Sequence, residues 1–292
     1  GRITRTGSDM AGVGLHPRLA HMLVLSGNSG QRELASDLAA IVSEHDLVSR
    51  SRAVCVRSDL SYRLELLDLY RQQGAAAARA AGADVNACRR VLLASRQLRR
   101  RQTSGSNTGV VQLSAAALLA TAYPDRIAQC RGGDGRGYRL SSGRGVRLPE
   151  GDMLTGSDYL VVAQMDAGQR EGRIFLAENL DVAEIREMLS THITRRSSVA
   201  WDQSVKAVSA VSEECLGELV LSRKRLQEHD AGLVRSAMLD GINAMGLGVL
   251  PWSEKAREWQ ARVCSLRHWQ LAADWPDLSD TALLGSLEEW LG

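Results

Sequence analysis

The feature that most constrains this chain is the period-two patterning of residues 116 to 181, since helical patterning precedes it and returns after it. Apolar residues and arginines alternate on both sides of a turn at Ser142 and Gly143. The alternating residues are Tyr138, Arg139, Leu140, Val146, Arg147 and Leu148. Because successive residues of a strand point to opposite faces, this pattern predicts a hairpin with one buried face and one solvated, basic face.

More strand-like segments follow the hairpin, at 159 to 165, at 172 to 177 and from about 199 to 221. Between them, Asp181 and Glu184 have the spacing of a capping box, which predicts a short helix. Several strands and one helix in a segment of this size are typical of a small closed barrel of the OB type. That fold often binds single-stranded nucleic acid.

Helical periodicity dominates the rest of the chain. It predicts a bundle of helices up to residue 122, after a short extended start at residues 1 to 15, and further helices from 226 onwards. All six tryptophans lie at Trp201 or later, and we interpret them as packing anchors of the second half. The predicted fold class is α+β and multidomain, with a helical bundle, an OB-fold barrel and a mostly helical C-terminal segment.

Arginine is concentrated in the first half of the chain. Residues 1 to 150 hold 22 arginines and 12 acidic residues, whereas 151 to 292 hold 14 basic and 22 acidic residues. Arginine forms bidentate contacts with phosphate and stacks on bases, so this asymmetry favours a nucleic-acid partner. A coding bias towards arginine would give the same count.

Nine of these arginines are candidate nucleic-acid contacts. Three share one face of a helix that we expect to begin after Asp84, and six lie in or beside the predicted barrel. They are Arg89, Arg96, Arg100, Arg126, Arg131, Arg136, Arg139, Arg144 and Arg147. Such a basic face suits a polyanion, although a solvated surface has the same composition.

The residues argue against several classes of protein. A phosphate-binding P-loop requires a Gly-Lys pair, and none of the three lysines, Lys206, Lys224 and Lys255, follows a glycine. The five cysteines, Cys55 among them, are widely spaced without a C-x-x-C pair, so we predict neither a disulfide framework nor a metal site. No nucleophile elbow occurs, and no apolar run approaches the roughly 18 residues that span a bilayer.

Seven segments carry a resemblance to a known family. They are GLHPRLAHML (14 to 23), AYPDRIAQ (122 to 129), SSGRGVRL (141 to 148), DYLVVAQMD (158 to 166), GRIFLAENLD (172 to 181), LPWSEKAREWQARV (250 to 263) and WPDLSDTALLGSLEEWL (275 to 291). In this order they resemble the HrpB group of bacterial ATP-dependent helicases, within the DEAH/RHA family. In that family two RecA-like motor domains precede a winged helix, a ratchet-like bundle, an OB-fold and a terminal region particular to the group.

The resemblance implies a domain order. Residues 1 to 15 would end the winged helix, 16 to 122 would form the ratchet-like bundle, 123 to 225 the OB-fold, and 226 to 292 the start of the terminal region. It implies that both ends of the chain lie inside a longer cytoplasmic protein. ATP and magnesium would bind the absent motor domains, so this segment would be inactive alone. Its implied partners are single-stranded RNA, with DNA left open, and the motor domains themselves.

Two functional hypotheses follow from different classes. In the first, the chain is the accessory part of an RNA helicase and clamps single-stranded RNA between strokes of the motor. In the second, it is a protein-interaction platform whose tryptophan-rich part docks a partner. A continuous basic groove would favour the first, and an exposed apolar patch around Trp252, Trp259 and Trp269 would favour the second.

Overall fold

A computed structural model describes the chain in eight ranges: 3–26, 29–49, 57–101, 113–166, 168, 171–226, 230–269 and 274–291. Cys55 lies outside them. The chain divides into two compact units. The first comprises Gly1–Thr194 and Cys215–Leu221, and the second comprises Arg195–Glu214 and Ser222–Gly292.

The first unit begins with helix α1 (Arg5–Val13), so the extended start predicted from the sequence is wrong. The Thr4 hydroxyl accepts a hydrogen bond from the Gly7 N–H at 3.1 Å and caps the helix. Gly14 ends it in the left-handed region, with φ 70°. The β-branched residues that gave the extended pattern, Ile3 and Thr4, lie before the helix, where a Thr is a favourable cap.

Five more helices confirm the prediction of a helical region up to residue 122. They are α2 (Pro17–Leu25), α3 (Ser29–Ser43), α4 (Leu60–Ala80), α5 (Val85–Arg101) and α6 (Ala115–Ala122). Asp84 caps α5, as predicted, by accepting the N–H of Asn86 at 2.8 Å and of Ala87 at 3.2 Å. The apolar faces of these helices contribute to one core, which includes Met22, Leu38, Leu67, Val91 and Leu118.

Five strands then close into a barrel in the order β1-β2-β3-β5-β4. They are β1 (Ile127–Cys130), β2 (Gly137–Leu140), β3 (Gly145–Arg147), β4 (Tyr159–Met165) and β5 (Gly172–Asn179). The antiparallel pair of β1 and β4 closes the ring, and β3 and β5 run parallel. Tyr138, Leu140, Val146 and Leu148 are buried inside, so the predicted hairpin and its buried face are confirmed.

The later strands form a separate sheet, although the sequence analysis placed them in the barrel. After helix α7 (Val182–Met188), β6 (Ile193–Asp202), β7 (Ala207–Leu216) and β8 (Leu219–Arg225) pair in the order β6-β7-β8. Pairing of β1 with β4 already satisfies the barrel's edges, so no edge remains for a sixth strand. The capping box of Asp181 and Glu184 at the start of α7 is present as predicted.

A short segment directly before α4, residues 57 to 59, connects the helical region to the barrel. The Ser58 carbonyl accepts a hydrogen bond from the Ala177 N–H of β5 at 2.9 Å. The Ser58 N–H donates to the Asp152 carboxylate, also at 2.9 Å. The Ser61 N–H donates to the Glu178 carboxylate at 2.6 Å. Hydrogen bonds to backbone atoms of this segment therefore link the barrel to the start of α4.

Arg63 on α4 also forms hydrogen bonds with this segment. Its side chain is buried, and the guanidinium donates to the carbonyls of Arg57 at 3.0 Å and Asp59 at 2.9 Å. It also forms a bidentate ion pair with the Asp46 carboxylate, with N–O distances of 2.9 and 2.8 Å. A buried guanidinium is stable only when its donors have partners, so this cluster fixes the path of the segment.

In its described residues, the second unit has four α-helices and a small apolar core. They are α8 (Ala231–Met245), α9 (Glu254–Trp269), α10 (Asp280–Gly285) and α11 (Leu287–Trp290). Leu239, Ile242, Leu247 and Leu287 are its buried members. Trp252 packs beside them, and its indole N–H donates to the Leu247 carbonyl at 2.9 Å. Among the described residues of either unit, every helix is too short or too polar to span a bilayer.

We predict that Arg63→Ala loosens the connection between α4 and the barrel. It would leave two carbonyl groups without their donor, and each buried unsatisfied group costs about 1–3 kcal/mol of unfolding free energy. Urea denaturation should show the loss, and amide hydrogen exchange should quicken at Ala177 and Ser61. The control Arg89→Ala, at an exposed site, should shift stability by no more than about 0.5 kcal/mol. Unchanged exchange at Ala177 would contradict the prediction.

We also predict a pH dependence that originates at Glu178. Burial raises the pKa of its carboxyl, and this outweighs the hydrogen bonds from Ser61 that lower it. Between the ordinary glutamate value of about 4.3 and the raised value, the folded state binds more protons than the unfolded state. The free energy of unfolding therefore falls as pH rises through that window.

Glu178→Gln should remove this component and flatten the profile, because the amide does not titrate but can still accept from Ser61. Urea denaturation between acidic and neutral pH measures it. Glu187→Gln, a change of an exposed carboxylate on α7, is the control and should leave the slope as it is. Parallel profiles for the wild type and Glu178→Gln would overturn the assignment.

Candidate nucleic-acid interface

The candidate arginines of the helical region lie on the outer face of α5. Arg89, Arg96 and Arg100 are exposed, while Cys88, Leu92 and other residues of the opposite face are buried in the core. Within the described ranges no ion pair involves these three arginines, whereas Arg90 and Arg99 beside them pair with Glu44 at 3.8 Å and Glu33 at 2.6 Å. The predicted basic face is therefore present on α5.

The arginines of the barrel hairpin lie on its outer face, as the alternation predicted, but acidic residues accompany them. Arg139 pairs with Glu218 at 3.2 Å, and Arg131 pairs with Glu171. The surface is consequently a network of ion pairs rather than a bare basic groove.

Asp134 is the centre of this network, since it pairs with both Arg136 and Arg147. The backbone N–H of Arg136, together with the two guanidinium groups, lowers the pKa of the Asp134 carboxyl. Arg136 also lies 3.9 Å from Glu150. Arg144, at the hairpin turn, donates to the Gly168 carbonyl at 3.0 Å. Exposed pairs of this kind contribute little to stability, so a phosphate can replace the carboxylate at small cost.

Arg126 differs from the other candidates because it is engaged in packing. Its guanidinium donates to the Ala163 carbonyl of β4 at 2.9 Å and lies 4.9 Å from the centre of the Tyr123 ring. Arg18 lies on the same ring at 5.5 Å and pairs with Asp125. This cluster joins α2 to the entry of the barrel.

An aromatic residue on the barrel lies outside the set of site residues predicted from the sequence. Phe175, the single phenylalanine of the chain, is 45% exposed on β5, and the Arg173 guanidinium lies 5.8 Å from its ring centre. Arg173 is the register partner of Arg147 on β3. The alternation of Gly172 and Ile174, which are buried, with Arg173 and Phe175 was the available signal. An exposed ring beside a guanidinium is a surface on which a nucleic-acid base can stack.

Within the described part of the chain, no three His, Cys, Asp or Glu side chains are grouped so as to hold a metal ion. Burial raises the pKa of the Cys88 thiol to about 11, with a smaller contribution from Asp84, so this thiol stays protonated near neutral pH.

Comparison with known proteins shows similarity to helicases named HrpB. No protein-family model matches the chain. The ATP-dependent RNA helicase HrpB of Escherichia coli strain K12 is 30% identical over 99% of this chain, which spans 32% of that protein. A crystal structure of the E. coli DExH-box NTPase HrpB has a TM-score of 0.59 at 30% identity and is matched over 99% of this chain and 32% of its own.

A second crystal structure, of the E. coli DEAH/RHA helicase HrpB, has a TM-score of 0.57 at 29% identity, with 99% of this chain and 33% of that chain covered. The segments that suggested the relationship in the sequence run through the same collinear match, and the predicted resemblance is confirmed. The chain spans about a third of the length of its relative. Along nearly its whole length, the chain is therefore similar to about one third of an HrpB helicase.

Proposed function

We propose that this chain is the accessory, nucleic-acid-binding part of an ATP-dependent RNA helicase and that it holds single-stranded RNA. The observation that carries the proposal is the outer face of the barrel, where the Phe175 ring lies beside Arg173, the register partner of Arg147, and Arg139 lies on the neighbouring strand β2. Its similarity to a third of an RNA helicase supports the choice of RNA. The RNA would bind in the cytoplasm, while motor domains outside this chain bind ATP and magnesium.

The proposed mechanism is a clamp without chemistry. Guanidinium groups of the hairpin bind phosphates by exchanging their present carboxylate partners, and the Phe175 ring stacks on one base. On α5, Arg89, Arg96 and Arg100 provide a second row of phosphate contacts. Phosphate contacts are independent of sequence, so the clamp would accept different RNAs and could accept single-stranded DNA.

We further propose that the barrel is of the OB type and that residues 16 to 122 form a ratchet-like bundle. The closed ring of five strands and the position of Arg139 and Arg147 on its second and third strands support the first assignment, because OB-folds bind oligonucleotides on that face. Residues 1 to 15 would complete a winged helix, and the segment from 226 would begin a terminal region.

The alternative, a protein-interaction platform, draws on the exposed Trp259 and Trp269 of α9. Trp252 is not part of an exposed patch with them, since it is half-buried, lies 6.3 Å from the Trp290 ring centre and is covered by Arg257 at 4.5 Å. The expected apolar patch is therefore reduced to two separate indoles with charged residues between them.

We predict that the aromatic and basic contacts have different salt signatures. Phe175→Ala should weaken binding to single-stranded RNA by about 1–3 kcal/mol, the contribution of one stacked base, with little change in salt dependence. Arg139→Ala with Arg147→Ala should instead flatten the log–log salt dependence by about 0.7 for each lost phosphate contact. Fluorescence anisotropy titrations over a range of salt concentrations measure both effects.

Met153→Ala, which removes an exposed apolar side chain near the barrel, is the control and should leave both quantities unchanged. If the wild type fails to bind, or binds without any dependence on salt or on these substitutions, the barrel is not the RNA site.

We predict that Asp134→Asn strengthens RNA binding, because it releases Arg136 and Arg147 from their shared carboxylate. Affinity should rise, and the salt dependence should steepen by about 0.7 for each additional phosphate contact. Glu187→Gln makes the same change in net charge at a site without a described contact to these arginines. An equal gain from the two substitutions would show that only net charge matters and would contradict the proposed exchange.

A further inference from the structure

Helix α9 of the second unit turns its tryptophans towards solvent. None of its described residues is buried, and the side chains of Trp259 and Trp269 are 66% and 80% exposed. The interpretation of the indoles as packing anchors is therefore wrong for these two. Exposing two indoles costs a helix most of the apolar area with which it could pack, so another set of contacts must hold α9 in place.

Polar side chains provide those contacts on the opposite face. The Gln260 amide donates to the Asp280 carboxylate at 2.7 Å, and Arg257 donates to the same carboxylate at 3.0 Å. Arg267 pairs with Asp277 at 3.4 Å. These bonds hold α9 to the start of α10 and neutralise the cations of this face.

The exposed face combines cations with the two indoles. Separations of three and four residues place its members on one side of the helix. They are Lys255, Trp259, Arg262, Leu266 and Trp269, with Glu258 at the edge. No ion pair to Lys255 or Arg262 occurs among the described residues. The His268 ring meets the Trp269 ring edge-on, with 5.1 Å between centroids.

We propose that this face of α9 is a second binding site for single-stranded nucleic acid. At 1.5 Å per residue, the two indoles are about 15 Å apart along the helix, which is roughly four stacked nucleotides at 3.4 Å each. Trp259 and Trp269 stack on bases, while Arg262, between them, and Lys255, about one turn before Trp259, contact phosphates. In its choice of ligand the inference rests on the proposed function, and it extends that function to the second unit.

Charge complementarity favours this ligand over a lipid surface or an apolar protein partner. A membrane-surface helix needs a continuous apolar stripe, and here Arg262 and Glu258 interrupt it. An apolar protein surface would remove Lys255 and Arg262 from water without an anionic partner, which is costly. A single strand offers both a phosphate for each cation and a ring for each indole.

The test compares substitutions in the 292-residue chain. The probe is a fluorescein-labelled oligouridine long enough to span both indoles, read by anisotropy and by quenching of tryptophan emission. Trp259→Ala with Trp269→Ala should weaken binding at least about tenfold, and Trp259→Phe with Trp269→Phe should keep most of the affinity, because any aromatic ring can stack. Leu233→Ala, which removes another exposed apolar side chain of this unit, is the matched control.

The charges are tested in the same way. Lys255→Ala with Arg262→Ala should flatten the log–log salt dependence by about 0.7 for each of the two lost contacts. Lys224→Ala with Arg225→Ala removes two exposed cations of β8 and should have a smaller effect. Vesicles of equal parts phosphatidylserine and phosphatidylcholine form a separate arm of the experiment.

The outcomes separate this inference from the proposed function. If the tryptophan substitutions change nothing while Phe175→Ala weakens binding, α9 is not a nucleic-acid site and the barrel proposal stands. If the tryptophan substitutions weaken binding while the barrel substitutions do not, α9 is the site and the barrel proposal fails. Binding to vesicles but not to oligouridine, or to neither, would overturn the nucleic-acid assignment at both places.

Discussion

The arrangement of the first unit depends on the buried guanidinium of Arg63. Its hydrogen bonds reach Asp46 and the carbonyls of Arg57 and Asp59, so three stretches of chain meet at one planar group. Because a buried cation cannot leave its donors unsatisfied, the segment before α4 has one permitted path. That path brings Ser58 to β5, and the helical region and the barrel are joined through backbone hydrogen bonds rather than by apolar packing alone.

Exposed arginines, unlike the buried Arg63, do not need fixed partners for their hydrogen-bond donors. The arginines of the hairpin pair with carboxylates where solvent still reaches both partners, so each pair contributes little to stability and can be exchanged. A surface of this type attracts a polyanion less strongly at long range than a bare basic groove does. Under the proposed function, it would select for a ligand that offers phosphates at the right positions, because only such a ligand would replace the carboxylates one for one.

Each unit also exposes aromatic side chains next to cations. On the barrel this is Phe175 with Arg173, and on α9 it is the pair of indoles around Arg262. Under the proposed function, a helicase needs such contacts to hold a strand while its motor domains move along it. They bind bases and phosphates without regard to sequence, which suits a clamp that must accept each new nucleotide in turn.

By itself, the sequence determined most local structure of the described ranges. Alternation fixed the hairpin and the inward position of Tyr138, and cap residues such as Asp84 and Asp181 marked where helices begin. These features depend on neighbours along the chain, which a sequence displays directly. The sequence segments also carried the relationship to HrpB.

Only the tertiary structure decided which distant residues meet. The barrel closes at β5 rather than later because β4 reaches β1, and Asp134 and Glu218 neutralise arginines that appear as free charges in the sequence. Likewise, the sequence suggested that Trp259 is a packing anchor but could not say whether anything covers it. Side-chain partners are set by packing between segments far apart in the chain, so neither composition nor periodicity can determine them.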